Sequence, residues 1–203
     1  MSSIQKYYQK TLTIAKENKV ATGVVVLLLI VWIVSRLFSA KNKIVNKAAG
    51  FLGEEETKSN QGFKNPDFEK KMREIGWRPE SEWCAFFARM VFLNVLTGKR
   101  REIADKLISG STQTTYRNFE NDTSGLFKVS QTPTKGSIII WQSTSNSAKG
   151  HAGIVTGTFA GGFETIEGNT YAETYNEGKV VRKKYEFSKP SKTLKIRGFI
   201  SIA

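Results

Sequence analysis

Cysteine and histidine are almost absent from this chain of 203 residues: Cys84 and His151 are its only representatives. A single cysteine excludes an internal disulfide, so the fold must hold by packing, and the free thiol is either buried or useful. One cysteine and one histidine make no structural zinc site without two carboxylates, and no close ligand pair occurs. No glycine loop with its lysine is present to cradle a phosphate. There is no internal repeat, and the acidic patch Glu54-Glu55-Glu56 is the one biased stretch, read as a solvated surface. No cofactor and no metal are expected.

Negative charge is scarce as well. Against 31 Lys and Arg stand 18 Asp and Glu, a net charge of +13. Residues 1–43 hold seven Lys or Arg and one Glu, hence +6, which leaves +7 for the rest. A basic surface of this size favours a polyanion such as nucleic acid, anionic lipid or an acidic cell-wall polymer. The run Lys99-Arg100-Arg101 lacks neighbouring aromatics and reads as a solvated helix start, so no specific nucleic-acid partner is expected.

Between Val20 and Ser35 no residue is charged, and the apolar run Val24–Val34 dominates. Continued to Ala40, it matches the roughly 20 residues that a helix needs to cross a bilayer, with Arg36 free to snorkel. The expected organisation is a tail over 1–19, one transmembrane helix over 20–40, a juxtamembrane linker over 41–53 and a globular domain over 54–203. A cleaved signal peptide is the rival, but Phe38 stands where a site ending at Ala40 wants a small residue. Lysines before the span balance Arg36, Lys41, Lys43 and Lys47 after it, so flanking charge gives no orientation. The stretch Lys41–Lys47 reads as an anchor to lipid headgroups.

About 160 residues then remain, enough for one domain with a real core. Asn65-Pro66-Asp67 is a helix start, with Gly76 as its stop. A second helix, capped by Ser81 or Glu82, runs from Cys84 through Phe87, Val91 and Val95 toward Gly98. Shorter helices are expected over 102–108 and 113–119. Beyond Asn121 the texture changes to strands over 136–141, 151–159, 163–170, 178–187 and 194–202, with Gly161-Gly162 as a hairpin turn. Helices first and then a strand meander make an α+β domain with an antiparallel sheet.

Cys84 falls in the first turn of its helix, where unsatisfied backbone N–H groups favour a thiolate. His151 opens the strand run Gly150–Val155. In Thr165-Ile166-Glu167-Gly168-Asn169-Thr170, strand alternation puts Thr165, Glu167 and Asn169 on one face, able to meet a histidine on the neighbouring strand. A base needs a partner that fixes its tautomer. Glu167 is the first choice; Asn169 is the alternative, or holds the Glu and the ring in register. The backbone N–H of Cys84, with a side chain from the 59–62 loop as second donor, would form an oxyanion hole.

At these segments the chain resembles the CHAP family of cysteine amidohydrolases and peptidases, relatives in fold of the NlpC/P60 and papain-like enzymes. The resemblance runs from about Glu54 to Ile202 through Ser59, Asn60 and Gly62, Trp83-Cys84-Ala85-x-Phe87, Gly136-Ser137-Ile138, Gly150-His151-x-Gly153-Ile154-Val155 and Glu167-Gly168-Asn169-Thr170. It implies Cys84 as nucleophile, His151 as base, and Glu167 and Asn169 completing the site, with peptidoglycan as substrate. Gly136-Ser137 departs from the family's usual Gly-Asp, and Glu82 stands where proline or a small residue often precedes the tryptophan.

The expectation is therefore a membrane-anchored peptidoglycan hydrolase, an amidase or endopeptidase, from a bacterium or from a phage particle or lysis system. It would be single-pass, with its catalytic domain facing the cell wall. The rival is a membrane-tethered adaptor that keeps the fold, binds the wall and leaves Cys84 silent.

Overall fold

The computed structural model describes residues 27, 28, 30–32, 35, 40–172 and 175–203, with the backbone alone at 172 and 175–177. The chain divides between Ser39 and Ala40 into two units. In the first, Leu27, Leu28, Ile30, Val31, Trp32 and Ser35 are helical and exposed. The expected tail over 1–19 and most of the expected span over 20–40 lie outside the described residues. Among the described residues no helix is long and apolar enough to cross a membrane.

The second unit begins with a helix, α1, over residues 40–49. These residues, expected as part of a linker over 41–53, lie within the packed unit. Ile44 and Ala48 are fully buried, Phe51 nearly so, and the Gly53 N–H donates to Val180 O at 2.9 Å. The lysines of this stretch alternate with apolar residues at helical spacing, which lets one face pack while the other stays wet.

Helix α2 (Pro66–Glu74) starts as expected: the Asn65 side chain accepts from the N–H groups of Asp67 and Phe68, and Pro66 occupies the first turn. Helix α3 (Cys84–Val95) buries Cys84, Ala85, Phe87, Ala88, Met90, Val91, Phe92 and Leu93. A helix apolar on most sides belongs inside, and α3 packs on strands of the sheet as well as on α2 and α4 (Gly98–Leu107). Neither Ser81 nor Glu82 caps it: the boundary falls at Trp83, with no capping side chain. Helix α5 (Thr112–Glu120), capped by Ser111, completes the helical half.

The sheet is antiparallel, in the order β1 (Phe127–Ser130), β6 (Leu194–Ile202), β2 (Ile138–Ser143), β3 (Gly150–Phe159), β4 (Gly162–Ala172), β5 (Tyr175–Glu186). Strand β1 has no counterpart in the sequence reading. The β3–β4 turn is formed by Ala160 and Gly161 rather than Gly161-Gly162, because Phe159 pairs with Gly162; only Gly161 needs positive φ, at 85°. One face of the sheet carries Ile139, Trp141, Val155, Phe163 and Phe199 in a buried cluster. The register that pairs Trp141 with His151 and Val155 with Thr165 places the candidate site residues at the end of that face.

Candidate active site

Trp83 fixes the start of α3. Its ring meets Phe63 edge-on at 5.0 Å between centroids, and Phe63 packs in turn on Phe68 and Trp77 at 4.8 Å each. The indole N–H of Trp83 donates to Glu56 Oε2 at 2.8 Å. Glu56, expected on a solvated patch, is fully buried; the Tyr171 hydroxyl at 2.8 Å and the Asn60 N–H at 3.3 Å supply further donors. A carboxylate with three donors can be buried, and its hydrogen bonds hold the residue beside Cys84 in place.

The His151 ring meets Glu167, with Nε2 3.0 Å from Glu167 Oε2, and the Cys84 thiol is near enough to the ring to raise its pKa. Glu167 pairs across β3 with the position of Gly153, and a Cβ there would come within 2.6 Å of Glu167 Cγ. Glycine at 153 therefore gives the carboxylate its path over β3 to the ring, the physical content of the Gly-His-x-Gly spacing. Trp141, opposite His151 on β2, lies 5.6 Å from the imidazole between ring centroids at 31° and supports its other side.

Glu167 is fully buried, and it is held from two more directions. Thr165 Oγ1 donates to Oε1, and Tyr185 lies near enough to feel the carboxylate's charge. Burial alone would raise the Glu167 pKa, but the hydrogen bond and charge of His151, with Thr165, hold it below the usual carboxylate value. For His151 burial opposes the charged ring; hydrogen bonds to Cys84 and Glu167 and their negative charge outweigh it, pushing the pKa up to about 10. Burial, then the charge and hydrogen bond of Glu167, raise the Tyr185 pKa, so this hydroxyl stays a donor at any working pH. The arrangement is an imidazolium between a sulfur and an ionised carboxylate.

Asn169 departs from the expected alternation. The β4–β5 register slips between Glu167 and Thr170, and Asn169 has φ 56°, the left-handed region that asparagine tolerates. Its Nδ2 donates to Glu82 Oε2 at 2.6 Å. The structure thus brings Cys84, His151 and Glu167 together, with a hydrogen bond between His151 and Glu167, and joins Asn169 to Glu82. Tyr185 was missed in the sequence: it lies opposite Phe163 on β5, and no local motif signals that register.

Cys84 is only 6% exposed, yet it lines a cleft of about 260 Å³ together with Glu82, Ser111, Thr112, Lys149 and Gly150. Because no side chain caps α3, its first-turn N–H groups are not consumed by a cap and can serve an oxyanion. None of residues 59–62 lines this cleft; Asn60 is instead tied to Glu56 and Glu80. Among the described residues no cluster of His, Cys, Asp or Glu could hold a metal ion.

The family model described as CHAP domain matches residues 76–169, and that match supports the CHAP family. It spans all four candidate residues. Neither the curated proteins nor the solved structures contain a match to the chain. An α+β domain with an antiparallel sheet fits a CHAP or papain-like domain, and such domains are typically hydrolases, amidases or peptidases, with peptidoglycan as the implied substrate.

Proposed function

We propose that the chain is a membrane-anchored cysteine amidase or endopeptidase that cleaves amide bonds of peptidoglycan. The observation that carries this reading is the His151–Glu167 hydrogen bond with Cys84 beside the ring and lining a cleft. The sulfur, as thiolate beside the His151 imidazolium, attacks the amide carbonyl carbon; the C–S bond forms and the carbonyl π electrons move to oxygen. N–H groups at the start of α3 hold the oxyanion. His151 then gives its proton to the leaving nitrogen, the C–N bond breaks, and an acyl-enzyme remains. Water attacks that thioester as His151 takes its proton, releasing a carboxylic acid and the thiolate. Glu167 keeps the ring oriented throughout and stabilises it whenever it carries the proton. Asn169 acts by holding Glu82.

Anchoring through residues 20–40, a single pass, and a domain facing the cell wall complete the proposal; the apolar run supports the anchor, and the wall substrate sets the orientation. The owner is a bacterium or a phage whose virion or lysis system attacks the wall. Full-length protein and its Cys84→Ala variant, compared for release of soluble fragments from isolated peptidoglycan, test the reading. The parent should release fragments, whose masses name the bond, and Cys84→Ala should release none. A parent that binds the wall and releases nothing would instead establish the adaptor.

A further inference from the structure

Two opposite charges flank the reactive pair in the same cleft. Glu82 precedes Cys84 by two residues and Lys149 precedes His151 by two, so each charge is tethered within about 7 Å of Cα travel from a reacting group. Both side chains are exposed and both line the cleft that Cys84 lines. Glu82 is not left to wander: Asn169 Nδ2 holds its Oε2 at 2.6 Å. That contact is neutral, and among the described residues no cation pairs with Glu82 and no carboxylate pairs with Lys149. Glu55, by contrast, is matched by Lys64 and Lys179. A held carboxylate two residues from a nucleophile and an ammonium two residues from the base, lining one cleft, together suit a group of the reverse polarity.

We infer that the cleft selects substrates carrying a zwitterionic amino-acid group next to the scissile amide, its ammonium on Glu82 and its carboxylate on Lys149. The inference deepens the proposed hydrolase activity and rests on that reading for its substrate. Asn169 then serves selectivity, as the residue that aims Glu82, and Glu82 in place of a proline or small residue is what distinguishes this cleft.

The lone cysteine makes a test possible that needs no hydrolysis. Rates of Cys84 modification by a cationic, an anionic and a neutral methanethiosulfonate are measured on the full-length protein, on Glu82→Gln, which keeps an acceptor for Asn169, and on Lys149→Met. Loss of one facing charge should lower the cationic-to-anionic rate ratio by about fivefold in Glu82→Gln and raise it by a similar factor in Lys149→Met. The neutral reagent should react equally with all three, which also reports that the variants are folded. In a second arm, N-acetylation of the free amines of peptidoglycan fragments should raise KM for the parent and leave KM of Glu82→Gln unchanged. An unaltered charge ratio in both variants would overturn the inference, as would acetylation affecting parent and Glu82→Gln alike. If the parent cleaves neither substrate, the hydrolase reading fails while the labelling ratios still decide this one.

Discussion

His151 is the residue on which the chemistry turns, and its protonation follows from its two neighbours. Burial favours the neutral ring, but Cys84 and Glu167 reverse that preference and raise the pKa to about 10. A raised pKa means that the charged ring stabilises the fold at pH below the unfolded value near 6.5. That contribution is lost as pH climbs through about 10. For Glu167 the sign is opposite: its lowered pKa contributes stability above the usual carboxylate range, lost on acidification. Because the chain has one histidine, its ring gives one set of NMR signals. Replacing Glu167 by Gln should move the midpoint of that titration down toward 6.5 and lower kcat/KM by about a hundredfold or more. A midpoint unmoved by Glu167→Gln would show that the carboxylate does not govern the ring. The sequence made three of these residues legible because Cys84 and His151 are unique and Glu167 follows from strand alternation. It could not reveal that Asn169 meets Glu82, since a register slip and a positive φ arise from how β5 pairs. Tyr185 and Trp141 act through neighbours on other strands, and pairing of strands leaves no local mark.

Elements were legible where a local signal was strong. Asn65-Pro66 and Gly76 bounded α2, the apolar run of α3 announced a buried helix, and the strands from β2 to β6 followed from β-branched and aromatic runs. Strand β1 is four residues long at the sheet edge and pairs with β6 alone, too short for alternation to show. The segment 41–53 was harder still, because its lysines suggest a headgroup anchor, while its apolar positions are what the core uses. This difference is measurable. Ile44 has no exposure, so Ile44→Ala should reduce stability by about 2–5 kcal/mol, read from the denaturant midpoint of full-length protein. In a free linker the same change would stay within about 0.5 kcal/mol of zero.

Across the whole molecule the excess of basic residues is shared between the N-terminal stretch, with +6 over residues 1–43, and the globular part, with +7 over the remainder. A hydrolase held at a membrane and acting on a polymer needs the polymer to stay close between turnovers, and distributed positive charge does this without a dedicated binding site. Such attraction acts through solvent and is screened: the Debye length shrinks from about 10 Å at 0.1 M salt to about 3 Å at 1 M. Retention of the full-length protein on isolated walls bearing anionic polymers should therefore fall by about tenfold or more over that range. Cys84→Ala should follow the same curve, because the thiol contributes no net positive charge. Walls stripped of their anionic polymers should retain less at low salt and show a flatter response. Equal retention at both salt concentrations would mean that the wall is gripped by the cleft and its hydrogen bonds, with the basic surface serving the lipid side instead.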